Sequence, residues 1–70
     1  MSKQLDIKFA NGGDIIISEI LGTDNVMSVT TDLDYNITVV YYTRSESLAI
    51  ARYLIQQFGF TEEELRNGNN

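Results

Sequence analysis

The 70-residue sequence contains no cysteine, no histidine, no tryptophan and no proline. Without cysteine no disulfide forms, and without cysteine and histidine the chain lacks the ligands that dominate structural zinc sites. The same absences remove the commonest general base and the thiol nucleophile, so carboxylates, tyrosines, lysines and hydroxyls are left for acid–base or covalent chemistry. We therefore predict a protein that is not an enzyme and holds no cofactor and no metal.

Long apolar runs and basic residues are also scarce. No apolar run approaches the ~18 residues that span a bilayer, and residues 1–6 lack the apolar region of a signal peptide. The prediction is a soluble, cytoplasmic protein without membrane contact. Ten acidic residues against five basic ones give a net charge of −5. Because cations supply most of the affinity for phosphate backbones, we expect a protein partner with a basic surface and no direct nucleic-acid binding.

The small size limits what a single chain buries. A folded chain of this mass exposes about 4,400 Å² against roughly 11,500 Å² unfolded, so only about 60% of its surface leaves water. One domain, residues 1–66, is the most that this supports, with residues 67–70 as a flexible tail. Domains this small commonly need a disulfide, a metal or oligomerisation. Since the composition removes the first two, we expect a partner or a homodimer.

Alternating apolar and polar residues predict four strands, at residues 3–10, 14–21, 26–31 and 36–43. Asn11-Gly12 between the first two is a strong hairpin signal, but the loop length stays open. The face that carries Ile7 receives one of two sets: Ile16, Ser18 and Ile20 with a two-residue turn, or Ile15, Ile17 and Leu21 with a three-residue loop and a glycine bulge. The three-residue loop buries more carbon.

The period changes to that of a helix after Thr43. Thr43 and Glu46 fit a capping box, with Ser45 as a competing N-cap, and an amphipathic pattern continues to Phe58 before Gly59 ends it. Thr61 with Glu64 predicts a second capping box and one more helical turn. The predicted fold is α+β: a four-stranded antiparallel β-meander with one amphipathic helix packed on one face and a short C-terminal helical turn.

Candidate partner-binding residues come from the uneven charge. No basic residue lies between Lys8 and Arg44, so acidic side chains near the sheet ends are candidates to meet a cationic groove. Tyr53, on the polar side of the helix, is a candidate interface anchor. The alternative is that aspartate is simply favoured in turns and keeps a small protein soluble. The acidic candidates are Asp14, Glu19, Asp24, Asp32 and Asp34.

Two further patterns bear on metals and self-association. Asp32, Asp34 and Asn36 match the first ligands of an EF-hand calcium loop, but the required Gly and Glu are Ile37 and Thr43, so we predict no calcium site. The last strand is apolar on both faces while one helix covers only one. We therefore expect Val40 and Tyr42 to lie on a face that forms an oligomer.

Three short segments resemble a known group of proteins: the turn Gly22-Thr23-Asp24, the segment Ser45-Glu46-Ser47 after a strand, and a helix with Ile50, Ile55 and Phe58. Together with the size, acidity and element order they resemble small acidic phage-encoded inhibitors of the anti-CRISPR kind. The resemblance implies an inhibitor that imitates DNA to block a nuclease, and it assigns no functional residue here.

Two functions follow as hypotheses. The first is a non-enzymatic inhibitor or adaptor, of phage or mobile-element type, that docks its acidic loops on a basic site of a nucleic-acid-handling protein. The second is a self-associating structural or accessory module whose open sheet face forms a homo-oligomer. An enzymatic function has only carboxylate pairs such as Asp32 and Asp34 in its favour.

Overall fold

The computed structural model describes residues 4–67, which form four strands followed by two helices. The strands pair antiparallel in the order β1-β2-β3-β4, so the predicted α+β meander is confirmed. Residues 1–3 and the last three residues of the predicted tail, 68–70, lie outside the described residues, and Asn67 belongs to the second helix. The elements are β1 (Gln4–Lys8), β2 (Asp14–Glu19), β3 (Val26–Thr31), β4 (Ile37–Tyr42), α1 (Arg44–Phe58) and α2 (Glu62–Asn67).

The first hairpin takes the three-residue loop. Ile7 pairs with Ile15, and the amide of Phe9 donates to the carbonyl of Gly13 at 3.1 Å. Gly12, with φ +96°, closes the loop as the glycine bulge, since this backbone region strains residues that carry a Cβ. This register places the whole set of Leu5, Ile7, Ile15 and Ile17 on one side of the sheet.

Two faces of different character follow from the register, because paired residues share a face and neighbours in a strand alternate. The first, which we call the Ile17 face, carries Leu5, Ile7, Ile15, Ile17, Ser28, Val40 and Tyr42. The second, the Ile16 face, carries Asp6, Lys8, Asp14, Ile16, Met27, Val29, Val39 and Tyr41. The Ile16 face thus holds the charged residues of β1, while the Ile17 face is apolar there.

Both helices begin at the predicted capping boxes. The amide of Thr43 donates to Glu46 Oε1 at 2.8 Å, and the amide of Glu46 donates back to Thr43 Oγ1 at 3.2 Å. Thr61 and Glu64 repeat this exchange at 2.9 and 3.1 Å. Gly59, with φ +66°, ends α1 and donates its amide to the carbonyl of Ile55 at 2.8 Å.

The structure differs from expectation in how far α1 covers the sheet. Helix α1 contacts mainly β4, and none of its residues is buried. Thr43 alone joins edge strand β4 to α1, so the helix starts at that edge of the sheet, and it contacts mainly β4 along its length. The radius of gyration is accordingly 13.4 Å, against about 11 Å for a compact domain of this length.

Candidate interaction surface

The Ile17 face is only partly covered. Among residues 4–67 no apolar side chain is buried, and Ser28, 1% exposed, is the one buried residue. Its hydroxyl lies 3.2 Å from the Tyr42 hydroxyl, so a polar contact stands at the most enclosed point of the sheet. Ile7 and Val40, at the two edges of the face, remain 43% and 39% exposed. A sheet face of this composition normally packs against another layer.

Helix α1 carries a second uncovered apolar surface. Its apolar stripe, as we call it, consists of Leu48, Ala51, Leu54, Ile55 and Phe58. Leu48, Leu54 and Phe58 are exposed, and Ile55 is half-buried. The rings of Phe58 and Phe60 extend the stripe past Gly59, with centroids 5.4 Å apart. The stripe would cover a sheet face, but in this chain it does not.

The total accessible surface area shows how much surface the chain leaves unburied. The chain exposes 6,113 Å², about 1,700 Å² more than the ~4,400 Å² expected for a compact protein of this mass. One partner in a standard protein–protein interface loses roughly 800 Å². The surplus surface is therefore about twice what one standard interface removes from each partner.

The acidic candidates fall at two opposite ends of the sheet. Asp14, Asp32 and Asp34 lie at the end that holds the β1–β2 and β3–β4 turns, where Asp14 and Asp32 line one shallow depression of about 270 Å³. Glu19 and Asp24 lie at the other end, beside the β2–β3 turn. The structure thus brings three of the five acidic residues together and separates the other two from them.

Two members of that acidic group have partners of their own. Lys8 Nζ donates to Asp14 Oδ2 at 3.0 Å, and this hydrogen bond raises the pKa of Lys8. Asp32 Oδ1 accepts the amides of Asp34 and Asn36, each at 2.9 Å, and Oδ2 accepts the Asn36 side-chain amide at 3.2 Å. The hydrogen bonds from Asn36 lower the pKa of Asp32, followed by that from Asp34. Asp32 therefore organises its turn.

Replacing Asp32 by Ala is expected to destabilise the fold at neutral pH more than replacing Asp34, whose side chain is not used in this turn. Because the folded pKa of Asp32 lies below the unfolded value of about 3.9, its stabilising effect is complete above that pH and is lost as pH falls through the folded pKa. Urea unfolding of both variants at pH 7 and pH 2.5 measures this. An Asp32→Ala deficit that persists unchanged at the lower pH would contradict it.

Tyrosines supply the exposed aromatic groups. Tyr53, on the polar side of α1, is 63% exposed, and Tyr41 on the Ile16 face is also exposed. Sequence reasoning did not single out Tyr35, which is exposed and has φ +63° at the third position of the Leu33–Tyr35 loop. The loop length could have indicated it, since a three-residue hairpin loop needs a left-handed residue there.

Other kinds of site find no support in the described part of the chain. Within residues 4–67 no three His, Cys, Asp or Glu side chains stand close enough together to hold a metal ion. No helix in that range is long and apolar enough to cross a membrane. Comparison with protein-family models, with curated proteins and with solved structures finds no match to this chain.

Proposed function

We propose that this chain is a non-enzymatic interaction protein that works as a subunit, with its apolar surfaces covered by another polypeptide. One observation carries the proposal: within residues 4–67 a sheet and an amphipathic helix form without burying a single apolar side chain. Apolar burial is the dominant favourable term in folding. A chain whose apolar side chains are at most half-buried on its own gains further apolar burial on assembly.

The test is unfolding of the isolated chain over a roughly hundredfold range of concentration, with an apolar dye present. Without its covering polypeptide the dilute chain is expected to bind the dye and to lose its cooperative transition. In an assembly the apolar surfaces are buried, so the chain is expected to bind no dye and to unfold cooperatively, as an ordinary domain does. A cooperative, concentration-independent transition without dye binding would overturn the proposal.

A second candidate function is favoured by the charge at one sheet end. Asp14, Asp32 and Asp34 gather there, and the whole chain carries −5. We propose as the alternative that this end docks on a basic site of a nucleic-acid-handling protein, in the manner of a small phage or mobile-element inhibitor or adaptor. Such contacts act through electrostatic complementarity and weaken with salt.

A charge-matched pair of double variants tests the alternative. Asp14→Asn with Asp34→Asn removes two charges at the proposed docking end and spares Asp32, which shapes the turn. Glu19→Gln with Asp24→Asn removes two charges at the other end. In capture from cells of the source at low and high salt, the first pair is expected to abolish a salt-sensitive complex that the second pair retains. Equal loss with both pairs, or capture that salt does not change, would overturn the alternative.

A further inference from the structure

We propose that the covering polypeptide is a second copy of this chain, with the apolar stripe of each α1 lying across the Ile17 face of the other copy. The inference rests on the proposed function and names its partner. The interface would be twofold and self-complementary, each copy giving a helix and receiving one.

The two uncovered surfaces of the chain are complementary in kind. The Ile17 face leaves Leu5, Ile7 and Val40 exposed, and the stripe leaves Leu48, Leu54 and Phe58 exposed. Helix on sheet is one of the few stable pairings of layers in domains. A second copy supplies a covering layer for both surfaces at once, whereas an unrelated partner would have to present two separate apolar surfaces.

The chain's own helix does not reach the far side of the sheet. Ile7 lies on β1, three strands away from β4, at a spacing of about 4.8 Å per strand. Since Thr43 is the whole connection between β4 and α1, the helix starts at the opposite edge from Ile7. Helix α1 contacts mainly β4 and leaves Ile7 43% exposed, so a helix that covers Ile7 would come from another chain.

The area matches a stable dimer. Each copy exposes about 1,700 Å² beyond the ~4,400 Å² of a compact protein of its mass. Two copies that buried all of this surplus would remove about 3,400 Å² in total, so the surplus is large enough for an obligate homodimer interface, which starts at about 2,000 Å².

Charge selects the Ile17 face over the Ile16 face. Among strand residues 4–42 the Ile17 face carries one charged residue, Glu19 at its end, whereas the Ile16 face carries Asp6, Lys8 and Asp14. Helix α1 has Arg44 and Arg52 against Glu46, a net charge of +1, and residues 9–43 carry −5. Of the five acidic residues in 9–43, Asp14 lies on the Ile16 face and Asp24, Asp32 and Asp34 lie in turns, so only Glu19 lies on the face that the helix would cover. The proposed interface therefore buries few charges.

Mixed cysteine variants test the arrangement, because the natural chain has no cysteine. One chain carries Ile7→Cys on the Ile17 face, and the other carries Leu54→Cys on the stripe. The control partner carries Gln56→Cys on the polar side of the same helix. After the chains are unfolded together, refolded as mixed oligomers and treated with a short thiol-reactive cross-linker, every covalent dimer is intermolecular.

We expect the Ile7→Cys and Leu54→Cys chains to cross-link at least about tenfold more than Ile7→Cys and Gln56→Cys. Equal yields, or cross-linking of Leu54→Cys chains only to each other, would overturn the exchange of helices. The mass of the natural chain separates the two proposals. A species of 7.9 kDa that binds an apolar dye would overturn the proposal of a second copy, but it would agree with the proposal that another polypeptide covers the chain. A monomer that binds no dye and unfolds cooperatively would overturn both proposals.

Discussion

Replacing Val40 by Lys is expected to weaken self-association by at least about a hundredfold, or roughly 2.7 kcal/mol. Val40 lies on the Ile17 face of edge strand β4 and is 39% exposed, so the isolated chain tolerates a long polar side chain there. In the assembly the same position is covered, and an ammonium group buried without a partner costs several kcal/mol. Sedimentation equilibrium of the variant and the natural chain measures the change.

The adjacent residue provides a matched control. Val39 has the same side chain and a similar exposure of 46%, but it faces the Ile16 side. Val39→Lys adds the same charge one residue away, and we expect it to change the association constant less than about tenfold. If Val39→Lys dissociates the oligomer and Val40→Lys does not, the assembly uses the Ile16 face.

Replacing Gly13 by Ala is expected to destabilise the fold by about 3 kcal/mol or more. Gly13 has φ +81°, and an added Cβ would stand 2.5 Å from the carbonyl oxygen of Thr31 on β3. Both the backbone conformation and the close approach oppose a side chain, and backbone of a central strand moves only at the expense of its pairing. Urea unfolding at a fixed protein concentration measures the loss.

Replacing Gly22 by Ala separates the cost of the backbone conformation from the cost of the close approach. Gly22 has the same φ of +81°, but nothing lies within 4 Å of the position that its Cβ would take. Gly22→Ala therefore carries only the conformational cost of about 1–2 kcal/mol. A Gly13→Ala variant no less stable than Gly22→Ala would show that β3 does not approach Gly13 as closely as the structure describes.

The local elements were predictable because each depends on residues close in sequence. Thr43 with Glu46, and Thr61 with Glu64, mark the two helix starts, and Gly59 marks the end of α1. The first hairpin required one more step. Sequence left two loop lengths open, and pairing of Ile7 with Ile15 is the outcome that gathers apolar side chains on one face.

The position of α1 was not predictable because no local signal sets it. The amphipathic pattern shows that a helix has an apolar side, but it does not say whose apolar surface covers that side. The separation of Asp24 from Asp32, in contrast, follows from the predicted meander, because successive turns of a meander lie at opposite ends of the sheet. The place of Tyr53 on the polar side of α1 could be predicted, since its helical position alone decides it.

The most direct test of the central claim, that one chain has no core of its own, is the mass of the natural protein by light scattering on dilution, with circular dichroism recorded on the same samples. We predict a mass of at least twice 7.9 kDa at high concentration, and a loss of ordered signal as dilution dissociates the oligomer. A species of 7.9 kDa that keeps its full ordered signal and unfolds cooperatively at every concentration would contradict the claim.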